Sequence, residues 1–419
     1  MEEKTIAFAF VNWYNKIMKR VSYLRLLDNL KDINVIKVVT GVRRSGKSTL
    51  LRQFRERLKE NGVPSERVLS YNLEAKSNEK FTKDTDLLHD TILKSILPGV
   101  MNYVFIDEVQ LVPEFEKTLD SLHLRSDIDL YVTGSNANIT SSEIGTLLSG
   151  RYVEVKMQPL TFSEFLEFFP EGVADKFSKF QLFMQYGGFP EVANLLSAGK
   201  TLAVIPYLRS IYDTILEKDI KQRKNIRFMD DFRQTVNYMF NNVGNITSPN
   251  NISNILREDN KIIDKETVSG YLDALADCYI LYPTQRFDIR GKQLLKTLKK
   301  YYAVDLGLID AVLGLPSNAD VGHRLENLVF LELNKRYDGR VWVGKNYEKE
   351  IDFVAKRPDG VLDYYQVAET VAEASIFERE VGSLENTGDK YSKTLLTLDL
   401  LETNNAGIAR KNIVNWLTE

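Results

Sequence analysis

One cysteine, Cys278, is too few for an intrachain disulfide, and the three histidines, His89, His123 and His323, lie far apart along the 419 residues. No Cys/His set has the spacing of a zinc site. Charge of one sign is scarce as well: 55 Lys and Arg against 58 Asp and Glu leave a net charge of −3, which gives no global attraction toward nucleic acid or anionic membrane. Any basic face has to be local. Long apolar runs are also missing. The run "TIAFAFVNWY" follows Glu2 and Glu3 without a basic leader and reads as a packed strand or helix, and no stretch reaches the ~20 apolar residues of a membrane-spanning helix. A cytoplasmic location without a membrane partner is the expectation. What is present, 43% hydrophobic and 27% charged residues, is the composition of a soluble globular chain, and the length calls for two or three domains.

The segment "VIKVVTGVRRSGKSTLLRQFRERLKENG" runs from a β-branched strand over 35–40, through a glycine-bounded loop, into a helix ending at Gly62. In that context G-x-x-x-x-G-K-S is a phosphate loop. Gly41 and Gly46 let the backbone curl so that its N–H groups surround a β-phosphate at a helix N-terminus. Lys47 supplies a point charge to the β- and γ-phosphates, and the Ser48 hydroxyl completes a Mg²⁺ shell. ATP and Mg²⁺ are therefore the expected ligands. The side chains of Arg43 and Arg44 read as solvated charge, while Arg44, Ser45 and Thr49 complete the loop residues expected around the nucleotide.

Hydrolysis needs an acid and a base on a second strand. "YVFIDEVQ" provides them, with Asp107 expected to hold Mg²⁺ through water and Glu108 expected to orient or deprotonate the attacking water. A third apolar strand, "LYVTGSNA", would deliver Ser135 and Asn136 to the same sheet edge beside the γ-phosphate, with the acting side chain left open. Arg151, behind a glycine, reads either as an arginine finger acting in cis or across a subunit boundary, or as a structural arginine. With a further strand at "RVLSYNLE", the alternation from 35 to 137 implies an α/β fold, a parallel sheet with helices on both faces.

The order of "GVRRSGKSTLL", "VFIDEVQ", "YVTGSNA", "LLSGRYVEVKMQPLTFSEF", "YGGFPEV" and "YLRSIYDTILEKDIKQR" resembles a prokaryotic family of AAA-type P-loop ATPases with a C-terminal domain of unknown function. The resemblance spans nearly the whole chain. Its most specific stretches are Gly187-Gly188-Phe189-Pro190-Glu191 and the segment from Lys218-Asp219-Ile220 to Arg223. It implies an ATP-binding module, a winged-helix-like middle and a nuclease-like C-terminal fold, with no assigned cellular task.

On that basis the expected domains are 1–155 for the ATPase, 156–224 for a helical lid, 225–305 for a winged-helix-like segment and 306–419 for a restriction-endonuclease-like domain. The helix in "DKETVSGYLDALADC", with Asp264, Glu266, Asp273 and Asp277 against Lys265, is acidic and a poor occupant of a DNA groove. The hairpin "RFDIRGKQLLKTLKKYY", by contrast, gathers Arg286, Arg290, Lys292, Lys296, Lys299 and Lys300 with two tyrosines, and a basic, aromatic-tipped wing over 286–300 could track DNA. The alternative is an ordinary hairpin; a protein partner or a second copy of the chain stays open. In the last domain Glu326 and Asp352 match two carboxylates of a nuclease core, but the expected E-x-K triplet reads Gln366-Val367-Ala368. Without the lysine and the second carboxylate, a metal-activated water has little support, and the domain reads as inactive unless Glu350 or Glu369 substitutes.

Overall fold

A computed structural model describes residues 20–419 apart from 138–149, 170–171, 173, 222–225, 227, 259–262, 315–320, 348, 386 and 406. The apolar run near the N-terminus, Leu147 to Ser149 and Arg223 fall outside the described residues. The chain divides into two units: residues 1–159 with 277–279, and residues 160–276 with 280–419.

In the first unit, α1 (Val21–Leu30), β1 (Ile36–Thr40), α2 (Lys47–Glu60), β2 (Val68–Asn72), α3 (Thr85–Ser95), β3 (Asn102–Asp107), α4 (Phe115–His123), β4 (Ile128–Gly134) and β5 (Tyr152–Lys156) follow in order. The five strands are all parallel in the order β2-β3-β4-β1-β5. Alternation sends neighbouring residues to opposite faces. Ile36, Val38, Val104, Ile106, Leu130 and Val132 pack under α3 and α4. Val39, Tyr103, Phe105 and Tyr131 pack under α1 and α2, through Leu27, Leu51 and Phe54. The doubly covered sheet explains the near-continuous apolar strands. Lys37, the second residue of β1, is fully buried and pairs with Asp129 on the adjacent β4.

The second unit opens with α5 (Phe162–Leu166), α6 (Lys176–Tyr186), α7 (Pro190–Ser197) and α8 (Val204–Thr214), which runs on into a π turn, Ile215–Lys221. The charged segment after 217 is only half a solvated face: Lys221 pairs with Glu217 at the surface, but Asp219 and Ile220 are buried. Next come α9 (Met229–Asn241), α10 (Pro249–Glu258), α11 (Lys265–Asp277), β6 (Leu281–Asp288), β7 (Gln293–Ala303), α12 (Leu306–Leu313) and α13 (Val321–Arg336). The unit is completed by β8 (Val341–Asn346), β9 (Lys349–Lys356), β10 (Leu362–Val367), α14 (Ala374–Glu385), β11 (Ser392–Thr397), β12 (Thr403–Asn405), β13 (Ile408–Asn412) and α15 (Ile413–Trp416).

The expected boundary near 305 is absent. The hairpin β6–β7 is not a free wing but the end of an eight-stranded sheet in the order β12-β13-β11-β10-β9-β8-β6-β7, joined through parallel pairing of Arg286 to Asp288 with Val343 to Lys345. The first break comes after Pro159 rather than 155. Among the described residues, no helix is long and apolar enough to cross a membrane.

The Gly187-Gly188 pair has a steric reason. α6 ends at Tyr186, Gly187 turns at φ 76°, and the Gly188 N–H donates to Asp305 Oδ2 at 2.6 Å. Asp305 also caps α12 through its Oδ1, which accepts from Leu308 N at 3.0 Å. Burial lifts this carboxyl to about 6, against the opposing pull of the Gly188, Leu308 and Gly307 amides. A Cβ at 187 would overlap the Asp305 carboxylate. Gly187→Ala should therefore lower the second unit's stability by about 2–4 kcal/mol, overpacking adding to the cost of a left-handed alanine. Chemical denaturation checks this; an unchanged midpoint would contradict the steric account.

Candidate functional site

Strand β1 is buried along its whole length and ends at Thr40, so the chain must turn sharply at the sheet edge. Gly41 does so at φ 138°, where a Cβ would run into the Met157 carbonyl oxygen. The loop then re-enters as α2, whose first amides and helix dipole favour a phosphate. Lys47 is buried and its Nζ donates to the Gly41 and Val42 carbonyls at 2.9 and 3.1 Å, which holds the ammonium over the loop. Ser45 is fully buried, and its hydroxyl has no hydrogen-bond partner among the described residues. Arg44 is exposed with φ 69°. Thr49 is half-buried one residue beyond the exposed Ser48.

Arg43 departs from expectation. It is buried and paired with Glu74 at 2.8 Å, so it anchors the loop instead of facing water. Arg20 gave no signal in the sequence. It is buried against the Tyr23 ring and donates to the carbonyls of Ser45 at 3.4 Å, Gln158 at 2.7 Å and Pro159 at 3.3 Å, bracing the loop from behind.

The strand order places β4 between β1 and β3, so its polar end lies between the phosphate loop and the acidic pair. Ser48 Oγ donates to Asp107 Oδ1 at 3.0 Å, which joins the two residues expected at Mg²⁺. These are hard oxygen donors, and together they fit that ion. Thr133 Oγ1 donates to the same Asp107 oxygen and accepts from the Glu108 N–H at 2.9 Å. Thr133 carries no motif of its own, although its place two residues before Ser135 in an apolar strand puts it on the same face.

Glu108 is 6% exposed and adopts a left-handed conformation, φ 58° and ψ 49°. Its Oε2 accepts from Ser135 Oγ at 3.2 Å and from Gln110 Nε2. A non-glycine residue in that region costs on the order of 1 kcal/mol and persists where its surroundings impose it. Of the two sensor-strand candidates, Ser135 contacts Glu108, while Asn136 is buried at the same edge.

Arg151 stands elsewhere. It precedes β5, which pairs in parallel with β1 so that Ile36 lies opposite Tyr152; it therefore lies at the start of β1, whereas the phosphate loop follows its end. Five residues of strand separate the two edges by about 16 Å. The side chain pairs with Asp120 of α4. Action in cis is thereby excluded, and only a role toward another subunit or a structural one is left.

In the second unit Glu326 and Asp352 do come together, but around a residue read as part of the wing. Lys300 is 4% exposed and its Nζ lies 2.9 Å from Glu326 Oε1 and 2.7 Å from Glu350 Oε1. Burial alone would lower its pKa, but the charges of Glu326, Asp352 and Glu350 outweigh that and hold it above its ordinary value. Burial and the neighbouring Glu326 push the Asp352 carboxyl well up. Asp352 Oδ2 accepts from Val367 N at 2.8 Å, while Gln366 Nε2 donates to Glu380 Oε2 at 2.8 Å. Among the described residues, no three His, Cys, Asp or Glu side chains are grouped to hold a metal. Lys300 already serves Glu326 and Glu350 as counter-ion, which disfavours a nuclease metal at this carboxylate set.

The aromatic tip is likewise withdrawn. Tyr301 and Tyr302 are buried, and Tyr302 stacks on Phe330 with centroids 4.2 Å apart. Of the basic hairpin, Arg290 and Lys292 are exposed, Arg286 and Lys299 half-buried and Lys300 buried.

The family described as an AAA domain matches residues 34–166, and a domain of unknown function (DUF8612) matches 177–319. An uncharacterised protein of Haemophilus influenzae is 38% identical over 411 residues, covering 96% of this chain and 99% of that one. One of Methanocaldococcus jannaschii is 28% identical over 407 residues, covering 92% and 88%. Among solved structures, a Walker-type ATPase of Pyrococcus abyssi aligns with 71% of this chain and 96% of its own, at 16% identity and a TM-score of 0.48.

Proposed function

The chain belongs to the family of the Haemophilus influenzae protein and carries an AAA-type P-loop nucleotide-binding domain, and from that premise we propose that it hydrolyses ATP with Mg²⁺ and passes the nucleotide state to a partner. The observation that carries this reading is the buried Glu108 carboxylate, held by Ser135 and Gln110 one residue after an Asp107 already bonded to Ser48. A structural acid would have no need of a strained backbone and two donors at the sheet edge beside a phosphate loop. Ser48 and Asp107 would hold Mg²⁺, which neutralises phosphate oxygens when bound. Lys47 exchanges the Gly41 and Val42 carbonyls for phosphate oxygens. Glu108 takes the proton of the attacking water, and Ser135 and Gln110 keep its carboxylate aimed. Arg151, held at the opposite sheet edge by Asp120, can serve only the nucleotide of a neighbouring copy.

The partner is better read as a protein than as DNA. Tyr301, Tyr302 and Lys300 face inward, so the hairpin presents no stacking platform and a reduced charge. The second unit is read as non-cleaving for the reason given by Lys300. The steady-state ATPase rate with and without duplex and single-stranded DNA tests both parts. Mg²⁺-dependent turnover indifferent to either DNA is expected. Turnover raised several-fold by DNA would overturn the protein-partner reading, and no turnover at all would reduce the site to a binding pocket.

A further inference from the structure

Ser48, Arg52 and Arg55 follow one another at helical spacing on α2 and share one face of it. Across from them, Ser70 and Asn72 of β2 and Asp107 of β3 share one face of the sheet, with Asn72 directly opposite Asp107. Elsewhere along this contact Leu51, Phe54 and Leu58 meet Tyr103 and Phe105 in an apolar core. At the C-terminal edge a polar stripe meets a polar stripe, and a cavity of about 270 Å³ opens between them, lined by these six polar residues among others.

Its donors are in excess. Arg52 and Arg55 make no hydrogen bond or ion pair with any described residue, and the Arg55 Nε is buried without a partner. Burial works against the Arg55 charge, which only the Asp107 and Glu56 carboxylates favour from a distance. The Asn72 carboxamide oxygen already accepts from Glu74 N at 2.9 Å, so its N–H groups are the part left for a ligand. Asp107, the one carboxylate in the lining, already accepts from Ser48 and Thr133. A desolvated guanidinium without an acceptor is costly, and its planar fork matches an oxyanion.

We infer that this cleft is an oxyanion site for a phosphate group, gripped by Arg52 and Arg55 and lying beside the Ser48–Asp107 corner. It is distinct from the cradle formed by the phosphate loop, because it opens on the β2 side of Asp107, whereas Glu108, at the end of β3, meets Ser135 on the β4 side. The site rests on the nucleotide reading for its neighbour alone. The phosphate is either the free orthophosphate that hydrolysis releases or one carried on a nucleic-acid backbone.

The test uses the full chain saturated with ADP and Mg²⁺, so that the phosphate loop is filled, and titrates orthophosphate by calorimetry. Wild type should bind a single phosphate. Arg55→Gln and Arg52→Gln should bind it about tenfold more weakly, with ADP affinity unchanged and a thermal midpoint no lower than that of wild type, since glutamine is a good helix former and carries no charge to desolvate. Arg55→Lys, which keeps the charge and loses the fork, should fall between. A wild type that binds no phosphate, or glutamine variants that both bind phosphate as tightly as wild type, as expected of the γ-position, would overturn the site. Failure of ADP itself to bind would instead overturn the nucleotide reading, and phosphate titrated into nucleotide-free Lys47→Ala would then judge the cleft alone. A short single-stranded oligonucleotide that displaces orthophosphate from the wild type identifies the backbone as the source; no displacement identifies the free ion.

Discussion

Glu108→Gln should abolish steady-state ATP turnover, by about 10²- to 10⁴-fold, while nucleotide still binds. The substitution keeps size and removes the basic oxygen. Glu108 is 6% exposed and receives its hydrogen bonds from Ser135 and Gln110, while Asp107, the neighbouring carboxylate, already accepts from Ser48 and Thr133. Ser48, Asp107 and Lys47 are untouched, so ADP and ATP affinities should stay within about twofold, whereas Lys47→Ala should weaken ATP binding itself. Phosphate release and nucleotide titration on the same preparation separate the two. Turnover retained in Glu108→Gln would place the base elsewhere, and loss of binding would make the residue structural.

Lys300→Met should destabilise the second unit by about 3–5 kcal/mol, among the largest effects of any single substitution there. Methionine fills the volume but leaves Glu326, Glu350 and Asp352 facing one another with no cation, and the Tyr302 hydroxyl at 2.7 Å from Glu326 Oε1 is a weak replacement. Crowded carboxylates without the ammonium have raised pKa values in the folded state. Their folded form is therefore favoured as protons bind, and the deficit should be greatest at neutral pH and narrow as the pH falls. Pairing Lys300→Met with Glu326→Gln should recover part of the loss, since it removes one stranded charge. Urea denaturation followed by near-ultraviolet circular dichroism measures each step. A loss below about 1 kcal/mol would mean that the cluster is solvated, contrary to its burial.

Much of the first unit was legible. The phosphate loop, the acidic strand and the sensor strand each announce themselves through a β-branched run that ends on small or charged residues, and all three stand at one sheet edge. Arg43 misled because a charge next to a glycine-rich turn looks solvated, and its partner Glu74 lies on a different loop. Arg20 was silent because its partners are carbonyls of Ser45, Gln158 and Pro159, and a carbonyl leaves no trace in residue type. The wing departs from expectation because Lys299 and Lys300 are identical in type while the pleat sends them to opposite faces, and only the tertiary fold buries Lys300.

The sequence by itself determined the local grammar of this protein: glycines where the backbone must turn through positive φ, a lysine and a serine entering a helix, acids closing a strand. Those choices depend on neighbours within a few residues, so composition and spacing carry them. The tertiary structure decided the rest, because it depends on strand order and register between distant segments. Placing β4 between β1 and β3 sets Thr133 and Ser135 on the acidic pair. Parallel pairing of β1 with β5 carries Arg151 to the far edge. Joining β6 to β8 turns Lys300 from a surface charge into the buried counter-ion of Glu326 and Glu350.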